Sequence, residues 1–246
     1  MQAIILAAGM GKRLKEYTQD NTKCMVKVNG VTMIERLLRQ LDDKGLSRIV
    51  VVEGYEGQKL IDYIGALGLS TPIEYVDNPI YDKTNNIYSL ALAQDYMLED
   101  DTVLFESDLM FDGEIVSSII ADKRDAVAVV AKYETWMDGT CVTVGPDNMI
   151  TRFIPKKDLV ESEYDSYYKT VNVYRIGKEF ARRYFVPFMD AYRKARGENE
   201  YYEHVFRIVT MLDEPIVGAM VLNGQKWYEI DNAEDLRNAS ELFTVH

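Results

Sequence analysis

Histidine and cysteine are scarce in this chain. Among 246 residues there are two histidines, His204 and His246, and two cysteines, Cys24 and Cys141. So few histidines argue against a histidine-based triad or a zinc site. The cysteines lie far apart in sequence and make no metal-ligand spacing, so free thiols are expected. Long apolar runs are also missing: none approaches the ~20 residues that span a bilayer. The first residues lack a basic stretch followed by an apolar one and run straight into a strand pattern. A cytoplasmic protein without membrane attachment is the expectation. Positive charge is in deficit, with 28 Lys and Arg against 40 Asp and Glu and a net charge of -12. That balance argues against a nucleic-acid binder, which carries a basic patch. It leaves room for a nucleotide held by a local cation cluster, and it suits a divalent metal or a cationic substrate.

What is present is a regular alternation. Residues 2–8 read as a buried parallel strand. Residues 31–46 place Ile34, Leu37, Leu38 and Leu41 at helical spacing and stop at Gly45. Residues 48–55 and 72–78 read as strands around a short helix at 57–67. Residues 86–97 are helical, with Asn85 or Asn86 as cap. Residues 101–111 read as a strand ending in carboxylates, 112–122 as a helix and 125–133 as a strand. This β-α-β-α rhythm predicts a Rossmann-like, doubly wound, mostly parallel α/β sheet. From about residue 133 the rhythm changes. Residues 141–154 read as a hairpin turning at "PDN", 169–177 as a strand, 178–195 as a helix broken near Pro187, and 201–213 as a helix. Strands at 216–224 and 226–231 and a closing helix at 232–243 follow. No repeat or long linker interrupts the chain, so residues 1–246 read as one domain whose second half inserts a substrate-facing β layer.

The first strand empties into "LAAGMGKRL". Ligands of open α/β sheets sit beyond the carboxyl ends of the strands. A glycine-rich turn there can aim backbone N–H groups at an anion. Gly9 and Gly11 permit close approach, and Lys12 and Arg13 add charge, so together they would cradle a polyphosphate. The spacing is not that of a P-loop, nor a full GxGxxG. "LFESDLMF" puts Asp108 at the rim just after an apolar strand. "WYEID" puts Glu229 and Asp231 on one strand face by their i, i+2 spacing. Glu106 and Asp112 read as solvated or supporting acids.

The stretch from Leu6 to Gly30 resembles the signature of nucleotidyltransferases that join a nucleoside triphosphate to a phosphorylated small molecule. Arg13, Leu14, Thr18, Lys23 and Gly30 take that signature's places. The resemblance implies that Leu6, Ala8, Gly9, Gly11, Lys12 and Arg13 bind the nucleotide and that Lys23, with Arg13, acts at the reacting phosphates. It also places Asp108 at the metal position, with Glu229 and Asp231 as a second arm for Mg²⁺. One departure is plain: Thr22 stands where the family usually has proline, which would stiffen the approach of Lys23. The segment around "TNNIYSL" is similar to the base-facing segment of phosphocholine-type cytidylyltransferases, and implies that Asn85, Asn86 and Ser89 meet a pyrimidine.

Aromatic and acidic residues collect in the second half: Trp136, Tyr167, Tyr168, Tyr201 and Tyr202 with Asp138, Glu200 and Glu203. Such a mixture suits a primary ammonium, which donates three hydrogen bonds. The blend resembles 2-aminoethylphosphonate cytidylyltransferases. By that resemblance Trp136, Lys169, Asn172, Glu200, Tyr202 and Glu203 bind the acceptor, Lys169 grips its phosphonate, and a fused or partner aminotransferase domain is implied. Lys156 and Lys157 read as a solvated loop. The expectation is CTP plus 2-aminoethylphosphonate giving the CMP-linked product and pyrophosphate, with phosphocholine the next acceptor. A sugar-1-phosphate nucleotidyltransferase is the near alternative. A non-catalytic nucleotide-binding domain is a different class, and it would be expected to lack one of Arg13, Lys23, Asp108, Glu229 or Asp231. A nicotinamide dehydrogenase is disfavoured by the incomplete glycine fingerprint.

Overall fold

The apolar run Gln2–Leu6 (β1) forms the centre of the sheet, buried throughout because both of its edges and both of its faces are covered. The computed structural model describes residues 1–212, 214 and 216–244. Asp213, at the end of the segment read as helix 201–213, and His246 lie outside the described residues.

The further strands are Lys27–Val28 (β2), Val31–Thr32 (β3), Ile49–Glu53 (β4), Ile73–Asp77 (β5), Thr102–Glu106 (β6), Leu109–Phe111 (β7) and Ala126–Lys132 (β8). Cys141–Val144 (β9), Ile150–Ile154 (β10), Tyr167–Ile176 (β11), Gly218–Val221 (β12) and Trp227–Glu229 (β13) complete them. The main sheet runs β10-β9-β11-β6-β1-β4-β5, with β8 on β11 and β12 on β8. Strands β6, β1, β4 and β5 are mutually parallel. Side chains alternate across β1. Ile4 and Leu6 face helices Asn86–Leu92 and Val186–Arg196; Ala3 and Ile5 face Met33–Asp42 and Gly113–Ala121. Truncating Ile5 to Ala would cost about 2–5 kcal/mol at such a site.

The segment 125–133, expected to continue the parallel series, instead pairs antiparallel with β11, which lies between it and β6. Hydrophobic periodicity carries no information on strand direction or neighbour. Strand β11 is forked. Val173–Ile176 pairs with β6, whereas Tyr167–Lys169 pairs with β9 of the predicted hairpin. Between the two, residues 171–173 of β11 stand opposite the single residue Val129 of β8, a bulge that holds Asn172 at φ 58°.

Two expected elements divide. The strand read over 101–111 breaks after Glu106, and β7 leaves the main sheet to pair antiparallel with β13. The helix read over 86–97 breaks at Ala93. Conversely, the helix expected to break near Pro187 keeps one helical path from Lys178 to Arg196 through a π turn at Ala181–Phe185. The widened turn accommodates the missing proline N–H and its ring. Among the described residues, no helix is long and apolar enough to cross a membrane.

Candidate active site

The break after β6 and the pairing of β7 with β13 bring three carboxylates together. Asp108 lies between β6 and β7, and its carbonyl accepts the amide of Ile230, which ties the two segments at their ends (2.9 Å). Asp231 follows β13 and is fixed by the next helix, Ala233–Leu242. There Asn232 and Asp235 form a capping box, and Asp235 also accepts the Asp231 amide (3.0 Å). One oxygen each from Asp108, Glu229 and Asp231 lies within 4.8 Å of the others. Lys23 Nζ donates to Asp108 Oδ2 (2.5 Å) and Asp231 Oδ1 (2.6 Å), and Arg13 pairs with Asp231 (2.7 Å).

The electrostatics follow from that crowding. Burial alone would lower the Lys23 ammonium, but Asp108 and Asp231 outweigh it and lift the group above the usual lysine range. Burial pushes the Glu229 carboxyl up to about 7; Asp108 and Asp231 add to the rise, while Lys169 and Lys23 oppose it. Asp108 Oδ1 is buried and has no hydrogen-bond partner among the described residues. A buried carboxylate oxygen without a donor, beside two more acids, fits a hard divalent cation that binds through oxygen. The residues therefore fit Mg²⁺.

Thr22 answers the proline question. Its φ of -66° is the value a proline ring imposes. Its buried hydroxyl donates to the carbonyls of Ala7 (3.3 Å) and Gly9 (3.4 Å). The approach of Lys23 is thus held by side-chain hydrogen bonds. The two glycines of the turn differ. Gly11 has φ 62°, and a Cβ there would meet Lys23 Cβ at 2.9 Å. A Cβ on Gly9 would meet nothing within 4 Å, because it would project into open space.

That space is a cavity of about 840 Å³. Its wall includes every residue expected at the nucleotide, namely Leu6, Ala8, Gly9, Gly11, Lys12, Arg13, Asn85, Asn86 and Ser89, together with Lys23 and the three acids. Asn85 caps the helix Asn86–Leu92 through the Asn86 amide (2.9 Å). Ser89 accepts from Asn78 (3.0 Å). Asn86 is engaged elsewhere: its Nδ2 donates to Glu106 (3.2 Å) and Glu203 (3.4 Å), and its Oδ1 accepts the Tyr202 amide (3.0 Å).

Of the residues expected at the acceptor, Lys169, Asn172 and Glu203 line this cavity. Lys169 is almost fully buried; its Nζ donates to the Thr170 carbonyl (2.6 Å) and reaches Glu229 (3.4 Å). Asn172, carried by the β11 bulge, donates to Glu229 (3.2 Å). Two expectations are corrected. Tyr202 is wholly buried against Tyr174, because the helix Glu203–Val209 turns it inward and leaves Tyr201 outward. Glu200 does not line the cavity; it accepts from Tyr192 (3.2 Å) and faces Arg196 and His204. Trp136 stacks on Tyr228 at 5.2 Å and lines a smaller recess of about 120 Å³, which shares Arg13, Asp138, Lys169, Glu229 and Asp231 with the cavity.

Other wall residues were not expected. Glu106 is one; burial first, then Asp108 and Glu203, push its carboxyl well above the usual range. Its sequence signal was a lone acid inside an apolar strand. Lys156 and Lys157 also line the cavity rather than a free loop, and Lys156 pairs with Asp138 (2.9 Å).

The parallel strands β6, β1, β4 and β5 carry an anion-suited turn and acids at their carboxyl ends, the place where open α/β sheets bind ligands. The family profile of the MobA-like NTP transferase domain matches residues 3–197, and the chain belongs to that family. It is 24% identical over 245 residues to the CMP-5'-(3-aminopropyl)phosphonate synthase of Streptomyces rubellomurinus, covering 99% of this chain and 39% of that protein. It is 35% identical over 123 residues to the choline-phosphate cytidylyltransferase of Streptococcus pneumoniae, covering 48% of this chain and 51% of that protein. These alignments span between about two fifths and a half of the curated relatives. A solved structure of the CTP:phosphocholine cytidylyltransferase from Streptococcus pneumoniae matches with a TM-score of 0.79 at 25% identity, covering 99% of both chains.

Proposed function

We propose that this protein is a Mg²⁺-dependent cytidylyltransferase that joins CTP to an amino-alkyl phosphonate or phosphate, with 2-aminoethylphosphonate as the favoured acceptor. The carrying observation is the cluster of Asp108, Glu229 and Asp231 around Lys23, in a cavity that the glycine turn of β1 also lines. The similarity to relatives named for CMP-phosphonate and choline-phosphate chemistry supports CTP and a small phosphorus-containing amine.

In this reading the amides of residues 9–11, with Lys12 and Arg13, hold the β- and γ-phosphates. Asn85 and Ser89 face the pyrimidine, while Asn86 serves the acidic wall. Lys23 leaves its carboxylate partners for the α-phosphate and offsets the charge that grows as the phosphorus gains a bond. Lys169 holds the acceptor's phosphonate. A phosphonate oxygen attacks the α-phosphorus; the bond to the bridging β-oxygen breaks, and pyrophosphate leaves with its electron pair. The attacking oxygen is already anionic, so no protein base is required, and catalysis is positioning and charge neutralisation. A magnesium ion held by Asp108, Glu229 and Asp231 would draw the phosphate oxygens together and offset their charge.

The test is pyrophosphate release from CTP, UTP and ATP against 2-aminoethylphosphonate, phosphocholine, phosphoethanolamine and glucose 1-phosphate, with and without Mg²⁺. CTP with 2-aminoethylphosphonate is expected to be fastest. Turnover with glucose 1-phosphate alone would reassign the protein to sugar nucleotide synthesis.

A further inference from the structure

Glu106 and Glu203 come from distant parts of the chain, the end of β6 and the start of the helix Glu203–Val209. Both are recessed in the cavity wall, and both accept from the one Nδ2 of Asn86. Neither forms an ion pair with any described residue, and Lys169 is directed at Thr170 and Glu229. Two recessed acids with no cation beside them offer a place for a ligand that carries one.

We propose that Glu106 and Glu203, oriented by Asn86, form the subsite for the ammonium group of the acceptor and select a primary amine over a quaternary one. The inference rests on the reading of the protein as a transferase for an amine-bearing acceptor, and it assigns the group that reads the amine. The chemistry is that of three N–H donors meeting the oxygens of the two acids. A trimethylammonium has no donor to offer and binds through aromatic faces. Tyr174 stacks on Phe206 at 4.8 Å and Tyr202 packs edge-on to Tyr174, so neither ring reaches the two acids' cavity face, and Tyr201 is the tyrosine nearest them in the wall. Asn86 is a positioning residue, since its contacts are with the two acids and the chain.

The test compares equilibrium binding of 2-aminoethylphosphonate and of ethylphosphonate, which lacks the amine, by calorimetry in the presence of a non-hydrolysable CTP analogue and Mg²⁺. The wild-type protein is expected to prefer the amine by about 10- to 100-fold, as suits charged hydrogen bonds. Glu203→Gln and Glu106→Gln should each shrink that ratio at least several-fold, and Asn86→Ala should shrink it while Asn86→Asp does not restore it. Thermal melting of each variant reports whether it folds; if one does not, the other single variant decides. Equal binding of the two ligands by the wild type, a ratio unchanged in the folded variants, or phosphocholine bound as tightly as the primary amine would overturn the assignment. No pyrophosphate release alongside variant-sensitive amine binding would instead sink the cytidylyltransferase reading and leave the ammonium subsite standing.

Discussion

Lys23 Nζ sits 2.5 Å from Asp108 Oδ2 across 85 residues of sequence, so a loop lysine supplies the positive charge that a strand-end acid lacks. With Asp231 as its second partner, the lysine is where cation chemistry and phosphate chemistry meet.

Lys23→Met is therefore expected to lower kcat by ~100- to 1,000-fold while CTP affinity falls less than ~10-fold, since its charge matters most in the transition state. Pyrophosphate release and CTP titration measure the two. Equal losses in both would remove the assigned role. Because the acids then lose their counter-charge, the Tm of this variant should rise more with added Mg²⁺ than that of the wild type.

Asp108→Asn should abolish turnover, to below ~1% of wild type, and lower the Tm in metal-free buffer, because Lys23 loses one of its two carboxylate partners. A folded variant that kept most of its activity would exclude Asp108 from the metal set.

Glu229 sets a pH dependence of stability. Its carboxyl titrates near 7 in the folded protein, above the ordinary value in the unfolded chain. The folded state therefore holds this proton more tightly. The stabilisation is complete below the unfolded value and disappears as pH rises through about 7. In metal-free buffer, the unfolding free energy should fall between about pH 5 and pH 8, by an amount on the order of 2 kcal/mol, and Tm with it. Glu229→Gln should flatten that part of the profile, which differential scanning calorimetry would show.

The two glycines should separate folding from binding. Gly11→Ala is expected to cost about 1–2 kcal/mol, from the left-handed backbone and the contact with Lys23. Gly9→Ala should melt normally and bind CTP more weakly, because its methyl would enter the cavity. Normal CTP affinity for Gly9→Ala would move the nucleotide away from this turn.

Thr22→Pro should change stability by less than about 1 kcal/mol, since the φ is already suitable and the ring replaces the tethering hydroxyl. Thr22→Val keeps the volume but loses the hydrogen bonds, and should melt lower than Thr22→Pro.

Much of the site was legible in the sequence because it is local. The glycine turn follows its strand directly, and Glu229 and Asp231 share a short segment. The proline-to-threonine departure was visible, but its resolution required knowing that the Thr22 hydroxyl meets carbonyls 13 and 15 residues earlier in the chain. Tyr202 and Tyr201 were indistinguishable in sequence, because only the helix beginning at Glu203 decides which ring enters the core. Glu106 and Glu203 could not be paired in advance, since their meeting through Asn86 depends on long-range packing. The direction of β8 was equally hidden: a strand buried on both faces looks the same whichever way its neighbours run.

The fork in β11 has an evolutionary reading. Two surplus residues, where three of β11 face one of β8, keep the strand from pairing along its whole length. Excising Val171 and Asn172 together would preserve the alternation of side chains and let the backbone zip into an ordinary ladder. A sheet of greater regularity thus lies one small deletion away, and it would forfeit the reach of Asn172 to Glu229.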